Sequence, residues 1–292
     1  MAGLEFLVLD VFARERFQGN QLAVFPHAAG TSDRLMQDLA REMHFSETTF
    51  ILDNKPNERG WPVRIFTPAR EVPFAGHPTL GTAWTIWDRF LGRRADSVLL
   101  DLKVGVVPVE IHDGGERLVM TQVSPEFGDA CPHARAARAL GLEPGDIDGR
   151  FPCREVSTGL WFLIVPVRTL AAMKRIRINR AEYERLAGKM RAKAVLAFCP
   201  ETEDPECRLH VRVFCEYYDV PEDPATGSAN GCLCAWLVRE RFFGTPAVEL
   251  ATEQGIEIGR PSRLLLDGRE QDGRIAVRVG GRVVPVGRGV IG

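Results

Sequence analysis

The first thirty residues alternate in the manner of strand, turn and strand. Phe6 and Val8 share one face with Asp10 and Phe12, Gly19-Asn20 marks a turn, and Leu22 to Phe25 resumes the apolar run. Ser32 then stands where a helix cap is needed and Asp33 suits a first turn. Leu35, Met36, Leu39 and Met43 recur at helical spacing. The β-branched and apolar stretch 48–52 predicts a strand. Short strands follow at 63–66, 98–102, 106–111 and 118–121. Surface helices are expected at 134–140, closed by Gly141, and at 179–190, where Asn179 and Glu182 have the spacing of a capping box. Many strands with a few helices predict an α+β protein. The connections are too short, and the strands too evenly spaced, for a doubly wound sheet.

Two segments depart from the amphipathic habit. Residues 78–90 carry no charge before Asp88, and 227–238 carry none at all. A helix apolar on every side must be surrounded by protein. Both segments are too short to span a membrane, so they are expected to be buried central helices, with Pro78 at a first helical position and Ser228 as an N-cap. The same segments disclose an internal repeat. Val63-Arg-Ile-Phe66 and Val211-Arg-Val-Phe214 are 148 residues apart, and at that offset Glu71-Val72-Pro73 matches Asp219-Val220-Pro221. After a shift of three residues, Gly76 opens the first buried helix as Gly227 opens the second. The chain therefore reads as two related lobes whose central helices start at a shared cleft. The first lobe takes 1–121 and is completed by C-terminal strands at 276–292; the second takes 122–275.

Composition narrows the classes. A chain of 292 residues is long enough for two domains or one large one. Lys and Arg total 37 against 39 Asp and Glu, and no basic run exceeds two residues, which disfavours a nucleic-acid partner. No stretch approaches 18 apolar residues, and the start, MAGLEFLVLDVF, lacks the basic region of a signal peptide. No membrane partner is expected. Seven cysteines without a CxxC pair predict reduced thiols in a cytoplasmic protein, with Cys232 and Cys234 as packing residues. There is no GxGxxG after a strand, no GxxxxGK[ST], no HExxH and no GxSxG. Six scattered histidines lack ligand spacing, so neither a metal nor another cofactor is expected.

Candidate chemistry gathers at the two helix starts, whose unpaired N–H groups and dipole favour a carboxylate or a developing oxyanion. The loops feeding them hold Glu71, His77, Asp219, Glu222, Asp223, Thr226 and Ser228, with Gly76 and Gly227 leaving room for a ligand. His77 precedes the first buried helix. It is either satisfied by a local carbonyl or kept neutral by the dipole as a donor or acceptor. Glu47, among apolar neighbours, is either an exposed strand-start residue or a desolvated carboxyl suited to proton transfer. Pro224 restricts Asp223 to an extended conformation, with its contact to a ligand left open.

The stretches at 10–25 (DVFARERFQGNQLAVF), 45–50 (FSETTF), 64–84 (RIFTPAREVPFAGHPTLGTAW), 213–231 (VFCEYYDVPEDPATGSANG) and 253–263 (EQGIEIGRPSR) together resemble the PhzF-like isomerase family of phenazine biosynthesis. The resemblance runs nearly end to end. It implies the diaminopimelate epimerase-like fold, with two similar lobes, each a β-barrel-like sheet around a central helix, and an active site between them. It also implies cofactor-free proton transfer. The family's acid/base glutamate falls on Glu47, its helix-start histidine on His77 and its aspartate on Asp223. Its glycine-serine pair falls on Gly227 and Ser228, with Gly76 at the matching end of the first lobe. Asn20 is retained as a substrate-binding residue, whereas the family's usual proline after it is Gln21 here. The catalytic cysteines of the related epimerases are absent, which favours a single-carboxylate shuttle.

The expectation is thus an isomerase that moves a proton between carbons of a small carboxylate similar to trans-2,3-dihydro-3-hydroxyanthranilate. Catalysis would fall to Glu47, Asp223 and His77, substrate binding to Asn20, Gly76, Gly227 and Ser228, and lobe closure would exclude water. The resemblance implies a homodimer. Two alternatives remain at this point: an amino-acid epimerase or racemase, for which Asp223 is the only second base, and a non-catalytic ligand-binding member of the fold.

Overall fold

The computed structural model describes residues 3–218 and 220–292. Met1 and Ala2, the start of the segment read against a signal peptide, and Asp219, matched above to Glu71, lie outside the described residues. The chain divides into two compact units, Met1–Thr121 with Gly280–Gly292, and Gln122–Val279.

The first unit contains β1 (Leu4–Val11), β2 (Asn20–Phe25), α1 (Asp33–Met43), β3 (Glu47–Ile51), β4 (Trp61–Phe66), β5 (Glu71–Val72), α2 (Gly76–Arg89), β6 (Ser97–Leu102), β7 (Gly105–His112) and β8 (Arg117–Thr121). The second contains β9 (Glu126–Cys131), α3 (His133–Leu140), β10 (Cys153–Ser157), β11 (Trp161–Pro166), α4 (Leu170–Arg175), α5 (Arg180–Ala187), β12 (Ala194–Cys199), β13 (Leu209–Cys215), β14 (Val220–Asp223), α6 (Gly227–Arg239), β15 (Ala247–Gln254) and β16 (Ser262–Gln271). From β17 (Arg274–Gly281) the chain returns to the first unit as β18 (Val283–Ile291).

In the first unit β18, β1 and β2 pair antiparallel, β3 joins β2 in parallel, and β4 joins β3 antiparallel. A short parallel contact from β4 leads to β6, followed by the β6–β7–β8 meander. This sheet curls around α2, which touches β1, β2, β3, β6, β7, β8 and β18. Leu7, Leu9 and Val11 are buried. A Cβ at Gly81 would stand 2.5 Å from Leu22 and 3.1 Å from Val11, so the helix lies directly on β1 and β2. The opposite face, which carries Phe6, packs with Phe25, Phe50, Phe66 and the apolar stripe of α1. The alternation read in the sequence thus marks the α1 side, and the odd-numbered residues of β1 form a second covered face. The threonines of α2 are satisfied within the core: Thr79 and Thr85 donate to Ala75 and Gly81 carbonyls, and Thr82 donates to Thr49.

The second unit repeats the plan. β13 takes β12 and β14 antiparallel and β15 in parallel, just as β4 takes β3, β5 and β6. α6 packs on β10, β11, β15 and β16, while α3, α4 and α5 supply residues to an apolar cluster with β9–β13. Each unit is therefore an α+β layer in which a sheet wraps a helix apolar on all sides. α5 ends at Ala187, short of the expected 190, and only half of its capping box forms. Asn179 accepts from the Glu182 N–H, but the Glu182 carboxylate is taken by Arg138 and Arg185.

The repeat extends to an ion pair. Arg64 reaches Glu71 through two bonds of 2.9 and 3.0 Å, and Arg212 reaches Glu222 through two of 2.9 and 2.7 Å. Each guanidinium also lies 5.0 Å from a phenylalanine two residues on, Phe66 or Phe214. Glu71 is thus matched by Glu222, which corrects the register drawn from the sequence. Both loops read Glu-x-Pro-x-x-Gly, and the extra three residues precede the glutamate, in the 3-10 turn Glu216–Tyr218.

Candidate active site

In the first unit three element starts converge. β2 and β3 run parallel with Leu22 opposite Glu47, so Asn20 and Glu47 stand at the same end of adjacent strands. α2 begins with Gly76 and His77, and Oε2 of Glu47 lies 3.4 Å from Nε2 of His77. Asn20 and His77 are buried, and the Glu47 side chain retains 19% exposure. Glu47 is thus a strand-start residue, as its position suggests, but a largely desolvated one.

Burial lowers the His77 pKa to about 3, against a hydrogen bond to the Gln21 backbone that acts in the opposite sense. The ring at the positive end of α2 is therefore neutral near pH 7. Nε2 makes no hydrogen bond of its own.

In the second unit Asp223 ends β14, Thr226 is the N-cap residue of α6, and Gly227 and Ser228 are its first two residues. Pro224 holds Asp223 extended. Ser228 is not the cap expected from the sequence, because α6 starts two residues earlier, with Thr226 at the N-cap position and its hydroxyl donated to Oδ2 of Asp223. Pro78 likewise lies inside the first turn of α2 rather than at its first position, since the helix begins at Gly76.

α1, α4 and α5 are capped by Ser32, Thr169 and Asn179, whereas neither α2 nor α6 is capped by its own N-cap side chain or carries an acidic residue in its first turn. The first amides of the two buried helices thus keep the donor character and positive potential that suit an anionic group. By the β-sheet registers, Thr48 opposite Phe66 corresponds to Val195 opposite Phe214, so Glu47 corresponds to Ala194. The helix registers match Val72 to Asp223 and His77 to Ser228. The two helix starts share a backbone plan and differ in chemistry.

Gln254 and Asn230 gained no role from the sequence. Gln254, Asn230 and Thr226 form a buried network around Asp223. An asparagine within the uncharged stretch 227–238 was the available signal, because a buried amide requires partners. His210, set aside with the scattered histidines, lies between Glu253 and Glu257.

Comparison with known proteins places these residues in context. Residues 9–289 match the family model for phenazine biosynthesis-like proteins. An uncharacterised isomerase of Mesorhizobium japonicum is 36% identical over 97% of both chains. The trans-2,3-dihydro-3-hydroxyanthranilate isomerase of Pseudomonas aeruginosa is 34% identical over 94% of this chain and 95% of its own. A crystal structure of a PhzF-family phenazine biosynthesis protein from Bacillus anthracis superposes with a TM-score of 0.91 at 28% identity, covering 100% and 99% of the two chains. A hydroxyproline epimerase from Agrobacterium vitis, 13% identical with a TM-score of 0.61 and 100% and 94% coverage, shares the fold.

Proposed function

We propose, for a chain that belongs to the phenazine biosynthesis-like family and is an isomerase, that it moves a proton between two carbons of a small unsaturated carboxylate, with Glu47 as both base and acid. The observation that carries this reading is the Glu47–His77 pair: a desolvated carboxyl 3.4 Å from a buried, neutral imidazole at an uncapped helix start. Glu47 takes a proton from one carbon, the electron pair delocalises through the conjugated system, and the same carboxyl returns the proton at another carbon. His77 offers its Nε2 lone pair to the protonated carboxyl, and Asn20 orients the substrate beside it. The amides at Gly76 and Gly227 bind carboxylate charge, while Asp223 and Ser228 hold polar substituents. General acid–base transfer supplies about 10²–10⁴-fold, and positioning and electrostatics supply the remainder.

The names of the relatives support trans-2,3-dihydro-3-hydroxyanthranilate or a close analogue as substrate. Ala194 at the counterpart of Glu47 supports one base rather than two matched ones. The reading includes a cofactor-free homodimer, which rests on the family resemblance, and a cytoplasmic location, which rests on seven cysteines without a CxxC pair; among the described residues no helix is long and apolar enough to cross a membrane. The test is incubation with trans-2,3-dihydro-3-hydroxyanthranilate in D₂O, followed by NMR. The reading expects a double-bond isomer labelled at the carbon that receives the proton. Recovery of a labelled mirror image or epimer supports an epimerase with Asp223 as second base. Ligand-induced thermal stabilisation with neither product nor label supports a binding protein.

A further inference from the structure

Resting on that reading of Asp223, we infer that Gln254 and Thr226 are positioning residues: the buried Gln254 amide fixes the direction of the Thr226 hydroxyl so that its hydrogen is donated to Asp223, which is thereby held as a hydrogen-bond acceptor. Gln254 and Asn230 are fully buried. Nε2 of Gln254 donates to the Asp223 carbonyl at 2.8 Å and to Oγ1 of Thr226 at 3.1 Å. Its Oε1 accepts from the Thr226 N–H at 3.3 Å and from Nδ2 of Asn230 at 2.8 Å. Nδ2 of Asn230 also donates to the Thr226 carbonyl at 3.1 Å, and Thr252 donates to its Oδ1 at 2.8 Å.

Backbone groups leave this network one solution. A carbonyl only accepts and an N–H only donates, so the Asp223 carbonyl, the Thr226 N–H and the Thr226 carbonyl together fix both amide orientations. Flipping Gln254 would set its oxygen against the Asp223 carbonyl and its NH₂ against two donors. With Oγ1 of Thr226 already receiving an N–H, its own hydrogen goes to the bonded atom left, Oδ2 of Asp223. The turn is held from behind as well: Ser262 donates to the Pro224 carbonyl at 2.9 Å, and Gly255 adopts φ +77° where a Cβ would stand 2.6 Å from that oxygen.

The charged groups on the flanking elements bond largely to one another. Arg212 on β13 pairs with Glu222 on β14, and His210 on β13 bonds Glu253 on β15 and Glu257 in the turn beyond. Arg212 also lies 3.8 Å from Glu257. Among the described residues, Glu216 lies in the 3-10 turn before β14, and Arg260 accepts from the Ser262 hydroxyl through its carbonyl.

The experiment is an NMR titration of the ligand-free protein carrying ¹³Cγ-aspartate, with the Asp223 signal assigned by its loss in Asp223→Asn. Thr226→Val should raise the midpoint of Asp223 by about one pH unit or more, the size of one hydrogen bond to a charged group. Thr226→Ser should titrate as the wild type does, because it keeps the hydroxyl. Gln254→Leu should raise the midpoint partway by freeing that hydroxyl to turn. Unchanged titration in Thr226→Val, or an equal shift in Thr226→Ser, would overturn the assignment. No substrate is involved, so failure to turn over trans-2,3-dihydro-3-hydroxyanthranilate would count against the proposed reaction and leave this result standing. Where turnover occurs, the acid limb of kcat/KM should move with the Asp223 midpoint in Thr226→Val and stay in place in Thr226→Ser.

Discussion

Replacing His210 by Gln tests a buried charge cluster of the second unit. The ring is fully buried on β13, with Nδ1 2.7 Å from Glu253 and Nε2 2.9 Å from Glu257. Burial alone favours the neutral ring, but the two carboxylates outweigh it and the pKa is raised to about 9, from an ordinary value of 6.5. The folded state therefore binds this proton more tightly than the unfolded chain does. Its contribution is fully present below pH 6.5 and is lost as the pH rises through about 9. At about 1.4 kcal/mol per tenfold, the interval corresponds to about 3 kcal/mol. Glu257 is held below its usual range by His210 and Arg212 despite its burial, the same coupling seen from the other partner, and it adds no second contribution. Urea unfolding of wild type and His210→Gln at pH 6, 8 and 10 reads this directly. The variant should be several kcal/mol less stable at pH 6, because both carboxylates lose their cation, and the gap should narrow by about 3 kcal/mol at pH 10. A gap that stays constant or widens with pH would refute the reasoning.

Buried His77 acts with the opposite sign: the unfolded chain takes up a proton near pH 6.5 that the folded ring refuses until about 3, so by pH 5 the wild type should lose about 2 kcal/mol relative to His77→Gln. Equal acid slopes in urea unfolding would contradict this. Gly255→Ala places a Cβ 2.5 Å from the Arg260 carbonyl and 2.6 Å from that of Pro224 at φ +77°, and should cost about 2 kcal/mol or more while shifting the Asp223 turn; unaltered thermal stability would refute it. Leu80→Ala, in the buried α2, should cost about 2–5 kcal/mol, measured by the same unfolding assay.

Much of this architecture was legible in residue order. The absence of charge in 227–238 and before Asp88 identified both central helices, because such a surface has nowhere to go but inside. The repeat was legible through Val-Arg-x-Phe, since its arginine must find a carboxylate and its phenylalanine a core. Which carboxylate was not legible: Asp219 matched Glu71 in type and spacing, but a 3-10 turn shifts the loop and Glu222 makes the bond. The partners of Asp223 were hidden for a related reason. Gln254 lies 31 residues from it and reaches it only because β15 pairs with β13. Alternation on β1 likewise could not reveal a helix on each face, since periodicity marks a covered side without counting layers.

The central claim is that the carboxyl of Glu47 carries the proton between carbons. Its most direct test compares wild type and Glu47→Gln in D₂O with trans-2,3-dihydro-3-hydroxyanthranilate, reading deuterium in the recovered compounds by NMR and affinity by calorimetry. The account predicts label and isomer with the wild type, and binding within a few fold but neither label nor isomer with the variant. Label entering at the wild-type rate in Glu47→Gln would contradict it.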